Sequence, residues 1–172
     1  SLEELRTALE AFDGCALKQT ATHLVFADGN SKAPLMLVGE APGREEDLKG
    51  LPFVGQSGQL LDRMLAAIGR DRSSCYISNT IFWRPPGNRK PTPLENMVCL
   101  PFIRRHIELV QPKVLVMVGG TSAGTLLDSQ AGITRLRGRW KTYQTPRISV
   151  PALPIFHPAY LLRQPALKGL AW

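Results

Sequence analysis

The stretch KVLVMVGGTSAGTLLD, residues 113–128, decides the architecture. Its apolar run from Val114 to Val118 has the continuity of a strand buried on both faces. Gly119 and Gly120 break that run, and TSAGTLLD then reads as a short helix. Working outward, the same order recurs. Upstream, CYISN (75–79) reads as a second buried strand, RPPGNRKPTP (84–93) as a proline-stiffened loop, and LENMVCLPFIRRHIELV (94–110) as a helix that Pro101 is placed to kink. Further upstream, Leu35 to Val38 form another apolar run, followed by a Gly-, Pro- and acid-rich loop over 39–58 and a helix over about 59–68. Downstream, LPIF (153–156) is a fourth buried strand, and His157-Pro158 turns it into a last helix. Four short apolar strands alternating with helices predict an α/β fold, a three-layer domain whose central four-stranded parallel sheet is flanked by helices. In such a sheet, ligands bind where loops leave the carboxyl ends of the strands. The loops that should converge there are GEAPG, the segment after Asn79, GGTS and HPAYLLR.

Outside that frame, residues 2–11 carry apolar side chains at helical spacing, with Gly14 as the stop. THLVFADGN (22–30) reads as a strand or hairpin arm closing on Asp28-Gly29, and residues 135–143 as an irregular or edge hairpin. The chain has 172 residues, 44% of them hydrophobic and 20% charged, which predicts one globular domain over 1–172; the expected state is a monomer. Its longest apolar runs fall far short of the roughly 20 residues needed to cross a membrane. The first residues lack the basic and apolar regions of a signal peptide. Cys15, Cys75 and Cys99 are odd in number and widely spaced, which argues for buried thiols in a reducing, cytoplasmic setting.

Charge is unevenly distributed. The formal net charge is +7, and residues 1–128 are balanced with 14 basic and 14 acidic side chains. Arg135, Arg137, Arg139, Lys141, Arg147, Arg163 and Lys168 follow with no acid among them. A polyanionic partner explains this segregation economically, the alternative being a solvated basic surface.

At the predicted strand ends stand Glu40, Glu45, Glu46 and Asp47, the aromatic Phe53, the carboxamide of Asn79 and the imidazole of His157. GEAPG taken alone fits an anion-cradling turn, but its spacing is neither a dinucleotide fingerprint nor a P-loop. A carboxamide both donates and accepts, so Asn79 matches an edge with one N–H and one carbonyl, such as a pyrimidine presents. His23 lies outside any motif, and His106, beside Arg104 and Arg105, reads as part of a helix surface.

Five segments in register, GEAPGREEDLKGLPFVGQSGQLLDRML, YISNTIFWRPPGNR, PKVLVMVG, LRGRW and HPAYLLR, resemble the family 4 uracil-DNA glycosylases from about residue 12 to the end. The resemblance implies the same sheet architecture and the hydrolysis of uracil from single- and double-stranded DNA, the first step of base excision repair, with free uracil as product. It implies that Phe53 stacks on the flipped base and Asn79 reads its edge, with Gly39, Ala41 and Gly43 lining the pocket. His157 would be the donor to the departing uracil anion. Better-known enzymes of this fold place an aspartate where Ala41 stands, so water falls to Glu40 or Glu46, while Glu45 and Asp47 suit a solvated or capping role. They place a thymine-blocking tyrosine where Gly43 stands. Leu161 would be the wedge entering the base stack, with Tyr160 and Leu162 as rivals. Arg84, Arg89, Lys90, Arg137, Arg139 and Arg163 would hold phosphates.

One departure concerns the cofactor. The family holds an iron–sulfur cluster with four cysteines, and the pattern meets Phe12, Cys15, Trp83 and Cys99 here. Two thiolates cannot ligate a cluster that needs four, so the expectation is a cluster-free relative with no metal and no cofactor. Two other readings remain: a noncatalytic DNA or abasic-site binder of the same fold, opposed by the intact Glu40, Asn79 and His157, and a small-molecule nucleotide enzyme, opposed by the basic tail.

Overall fold

The computed structural model describes residues 1–172. The helix expected at the start is α1 (Leu2–Ala11), opened by a reciprocal cap between Ser1 and Glu4. A turn of helix, α2 (Leu17–Thr20), leads to the two-residue strand β1 (Asp28–Gly29). Three of the apolar runs become β2 (Leu35–Gly39), β3 (Cys75–Asn79) and β4 (Val114–Val118). The hairpin of β5 (Lys141–Gln144) and β6 (Ser149–Ile155) supplies the fourth. Strand order is β1-β3-β2-β4-β6-β5. The central four strands run parallel, as expected, and β1 and β5 add antiparallel edges that make the sheet six-stranded. Neither edge has an apolar run: β1 is two residues long, and only Tyr143 is buried in β5. Asp28-Gly29, read as a turn, is itself an edge strand. Gly29, at φ +99°, passes so close to β3 that a Cβ would lie 2.2 Å from the Cys75 carbonyl oxygen.

The long loop after β2 holds one short helix, α3 (Arg44–Lys49), before α4 (Gln56–Ala67). Next comes α5 (Pro93–Val110), capped by Thr92 and Glu95. It is continuous through Pro101, which lacks the N–H that would bond the carbonyl of the exposed residue Met97. After β4 come α6 (Gly120–Leu127) and α7 (Ile133–Leu136); of the edge hairpin expected over 135–143, α7 takes the first two residues and Lys141–Tyr143 lie in the edge arm β5. The chain closes with α8 (Pro158–Arg163) and α9 (Lys168–Ala171).

Strand side chains alternate between two cores. Met36, Val38, Tyr76, Leu115 and Met117 pack with Leu5 and Leu9 of α1 and with Cys99, Ile103 and Ile107 of α5. Leu37, Cys75, Ile77 and Val118 face the other way, toward Leu61 and Leu65 of α4 and toward Phe53. His106 corrects the surface reading: it is fully buried, with its ring 4.4 Å from that of Phe26 and its Nε2 2.8 Å from the Tyr76 hydroxyl. It continues the buried stripe of Cys99 and Ile103 at helical spacing. Because β2 has β3 on one side and β4 on the other, the chain reverses its winding across β2, and a crevice opens over the carboxyl ends.

Candidate active site

The crevice is a cleft of about 660 Å³ whose lining includes Glu40, Phe53, Asn79, Gly119, His157 and Arg163. Gly39, expected to line the pocket, lies outside its lining, behind Phe53 and Asn79, and pairs in register with Asn79 at the ends of β2 and β3. Only glycine fits there: a Cβ at Gly39 would stand 2.5 Å from the Phe53 ring and 2.6 Å from Asn79 Oδ1. Asn79 is 2% exposed, and its Oδ1 is buried with no partner. A buried acceptor left unpaired costs about 1–3 kcal/mol, so this amide is poised for a ligand that donates. The Phe53 ring lies 5.6 Å from that of His157, at 29° to it. Phe53 has a left-handed backbone, and Gly58 of α4 leaves the room for it, since a Cβ at Gly58 would collide with the Phe53 carbonyl at 1.7 Å. Sequence reasoning did not single out Gly58; a glycine inside an amphipathic helix was the available signal.

His157 caps α8. Its Nδ1 accepts from the Ala159 amide at 3.0 Å, so the proton of the neutral ring sits on Nε2. Burial, aided by the nearby Arg163 charge, lowers its pKa to about 4. At neutral pH the side chain is therefore an uncharged Nε2–H donor. The end of β4 yields to it, with Gly119 at φ +98° and only 3.0 Å between a Cβ there and the His157 Cβ.

The two candidate acids differ sharply. Glu46 is committed to the backbone: Oε1 accepts from the Gly43 amide at 3.1 Å, and Oε2 from the Val54 and Gly55 amides at 3.0 and 2.8 Å. Glu40 is fixed by its main chain, whose carbonyl accepts from the Ile81 amide at 2.9 Å and the Thr80 hydroxyl at 3.0 Å. Its residue lines the cleft, and its carboxylate takes no protein hydrogen bond. Ala41 and Gly43 line the cleft too; a Cβ at Gly43 would stand 2.8 Å from Glu46 Oε1. Glu45 is exposed, while Asp47 is buried and accepts from the Thr22 and His23 amides at 2.8 and 3.1 Å, tying α3 to the segment before β1.

Of the basic residues, Arg89, Lys90 and Arg163 line the cleft with Tyr160, whereas Arg84, Arg137 and Arg139 lie outside its lining. Arg84 donates to Asn88 Oδ1 at 2.6 Å, and Arg89 grips Glu95 with two bonds of 3.0 and 2.6 Å. The Arg137 guanidinium sits 5.1 Å over the Phe156 ring and donates to the Leu170 carbonyl at 3.2 Å. Leu161 requires a correction: it is 1% exposed and packed with Leu60 and Phe156, so it cannot enter a base stack without leaving the core. α8 turns Leu162, 36% exposed, and Arg163 outward, while the half-buried Tyr160 packs 5.3 Å from the Phe156 ring at the edge of the cleft.

At the positions of the family's cluster, the donor set does not fit. Cys15 and Cys99 are buried, the Phe12 ring packs 4.8 Å from that of Phe102, and Trp83 is 2% exposed in the core. Burial, together with the neighbouring Cys15, pushes the Cys99 thiol well above its ordinary range. No group of three or more His, Cys, Asp or Glu side chains could hold a metal ion.

Residues 26–172 match the family model described as the uracil DNA glycosylase superfamily. A type-4 uracil-DNA glycosylase of Archaeoglobus fulgidus is 41% identical over 174 aligned residues, covering 98% of this chain and 86% of that protein. One from Thermotoga maritima is 39% identical over 150 residues, covering 87% and 77%. One from Sulfurisphaera tokodaii is 35% identical over 175 residues, covering 99% and 80%. With the family model spanning most of the chain and type-4 enzymes alike over nearly all of it, the chain belongs to the uracil DNA glycosylase superfamily, among its type-4 members.

Proposed function

We propose that this protein is a uracil-DNA glycosylase that flips uracil out of single- or double-stranded DNA and hydrolyses its N-glycosidic bond, leaving an abasic site and free uracil in base excision repair. The observation that carries this reading is the pairing, in one cleft, of a buried unpartnered Asn79 Oδ1 with a neutral His157 donor. Asn79 Oδ1 accepts from the ring N–H of uracil, and its NH₂ donates to the adjacent carbonyl. Cytosine lacks that N–H and is rejected. Phe53 stacks on the extruded ring, which repays part of the few kcal/mol that unstacking and unpairing cost. As the bond breaks, charge builds on the uracil oxygen, and His157 Nε2–H stabilises it without itself being charged. Such a donor is worth roughly 10²–10³ in rate.

Water attacks the sugar, oriented by the free carboxylate of Glu40. Glu46 acts at one remove, holding the loop that carries Phe53. Lys90, Arg163 and Arg89 neutralise phosphates at the mouth of the cleft, and Arg84 and Arg139 act further along the strand, whereas Arg137, turned onto the Phe156 ring and the Leu170 carbonyl, serves packing rather than DNA. Tyr160 or Leu162 fills the gap the base leaves. The enzyme works as a monomeric single domain over 1–172 in the cytoplasm, and without an iron–sulfur cluster, because aromatic rings occupy two ligand positions; no helix is long and apolar enough to cross a membrane.

The test is release of free uracil from single- and double-stranded oligonucleotides. Catalytic release from both supports the proposal. Tight binding of uracil-containing or abasic DNA with no release would favour the noncatalytic alternative.

A further inference from the structure

Phe53 carries the aromatic face of the cleft on a backbone with φ +53°, a left-handed conformation that bulky residues adopt only when their surroundings impose it. Gly58 makes room behind it, and Glu46 takes the amides of the next two residues. A third contact comes from outside the motif. Arg72, in the turn before β3, donates from Nη1 to the Pro52 carbonyl at 2.8 Å and from Nη2 to the Phe53 carbonyl. The same guanidinium is held by Asp28 of β1 and Asp62 of α4, each at 2.9 Å.

We infer that Arg72 is a positioning residue for base recognition: by holding the two carbonyls, its guanidinium fixes the main chain that aims the Phe53 ring at the flipped base. This rests on the uracil reading of the cleft. Two carboxylates already answer its charge, and its side chain is only 22% exposed, so Arg72 is not one of the phosphate-binding cations. The planar fork is what the geometry uses, reaching two carbonyls and two carboxylates at once; lysine, with a single ammonium, cannot replace it.

A role confined to holding β1 against α4 would reduce stability without selective coupling to Phe53. Single-turnover uracil excision from single-stranded DNA is therefore measured for the wild type, Arg72→Gln, Phe53→Ala and the double variant. Residues acting through one another are non-additive, so the expected pattern is a loss of roughly tenfold or more for Arg72→Gln and a double variant within about threefold of Phe53→Ala alone. Hydrogen exchange should quicken at the amides of residues 53–55 while β4 and α5 keep wild-type protection. Arg72→Gln within about twofold of wild type, or a double variant showing the full product of the two losses, overturns the inference. So does faster exchange spread evenly over the sheet. If Arg72→Gln does not fold, Arg72→Lys is read by the same criteria. No release by the wild type would overturn the uracil reading instead, and the exchange comparison would still decide whether Arg72 holds Phe53.

Discussion

His106 and His157 are both stripped of water and both kept neutral, yet only one stands at a site. Burial pushes the first to a pKa of about 3 and the second to about 4. Around His106 the molecule is closed: Phe26 and Phe82 stack on its ring, Tyr76 meets Nε2, and Nδ1 is orphaned in the core. Around His157 one nitrogen is used up by the Ala159 amide, and the residue borders a cleft shared with Asn79 and Phe53. A depressed pKa therefore does not by itself mark function. What distinguishes the second histidine is a donor with an assigned proton and somewhere to give it.

The largest effect expected from this contrast is kinetic. His157→Ala should slow single-turnover excision by roughly 10²–10³, with a smaller stability loss of roughly 1 kcal/mol from the missing cap of α8. His106→Ala should do the reverse, costing roughly 3 kcal/mol in chemical denaturation by opening a cavity among aromatic rings, while the folded fraction turns over within a few-fold of wild type. Comparable slowing in both fully folded variants would erase the distinction.

Acid should next reveal what the two share. Both histidines take up a proton more readily when unfolded, at about pH 6.5, than when folded. Stability is thus fully present above that pH and is lost as pH falls toward 4, by roughly 3 kcal/mol for each group. Denaturant unfolding at pH 7 and pH 4.5 measures this loss, and His106→Ala should remove about one proton from the transition. Excision, by contrast, should show no titration of His157 between pH 5.5 and 8, because its folded pKa of about 4 lies below that window. An acid limb near pH 6.5 that disappears in His157→Ala would contradict the neutral-donor assignment.

How much of this was legible depends on how locally each feature is encoded. The parallel strands follow from apolar runs, and Asn79 and His157 from their places at strand ends. The burial of His106 was readable from its spacing to Cys99 and Ile103, but the adjacent arginines drew attention to the exposed side of the helix. Leu161 and Leu162 are neighbours on a short helix, and only the rotation set by the His157-Pro158 cap decides which enters the core. The role of Glu46 was only half legible: its contact with the Gly43 amide is the local reach of an N3 glutamate back to the helix cap, but its partners at 54 and 55 lie beyond α3 and nothing local announces them. Arg72 was hidden for the same reason, since its carbonyl partners are 19 and 20 residues away.

Asn79 offers a narrower test of the open side of the comparison. Asn79→Ala should lower the uracil-over-cytosine preference by roughly 1–3 kcal/mol, the discrimination carried by a bidentate contact, as well as slowing excision. Matched oligonucleotides carrying uracil or cytosine measure it. Unchanged discrimination would mean that the unpartnered Oδ1 is not what reads the base.

The smallest effect concerns the cations around His157, and here too position should outweigh chemical type. Arg163 lines the cleft, and its charge helps lower the pKa of His157, whereas Arg137 is turned onto the Phe156 ring and the Leu170 carbonyl. Phosphate contacts carry no base identity, so neutralising either residue should leave the uracil-over-cytosine ratio unchanged. Each contact truly lost flattens the slope of log affinity against log salt by about 0.9 on duplex DNA. Arg163→Ala should therefore flatten it by about that amount, and Lys90→Ala, also at the mouth, by a similar amount. Arg137→Ala should hardly move it, because its guanidinium is already engaged within the protein, and should instead loosen the packing of α9. Salt titrations of duplex binding with all three variants decide the matter: a full unit of slope lost with Arg137→Ala would place DNA over the Phe156 side of α8 and move the interface away from the cleft.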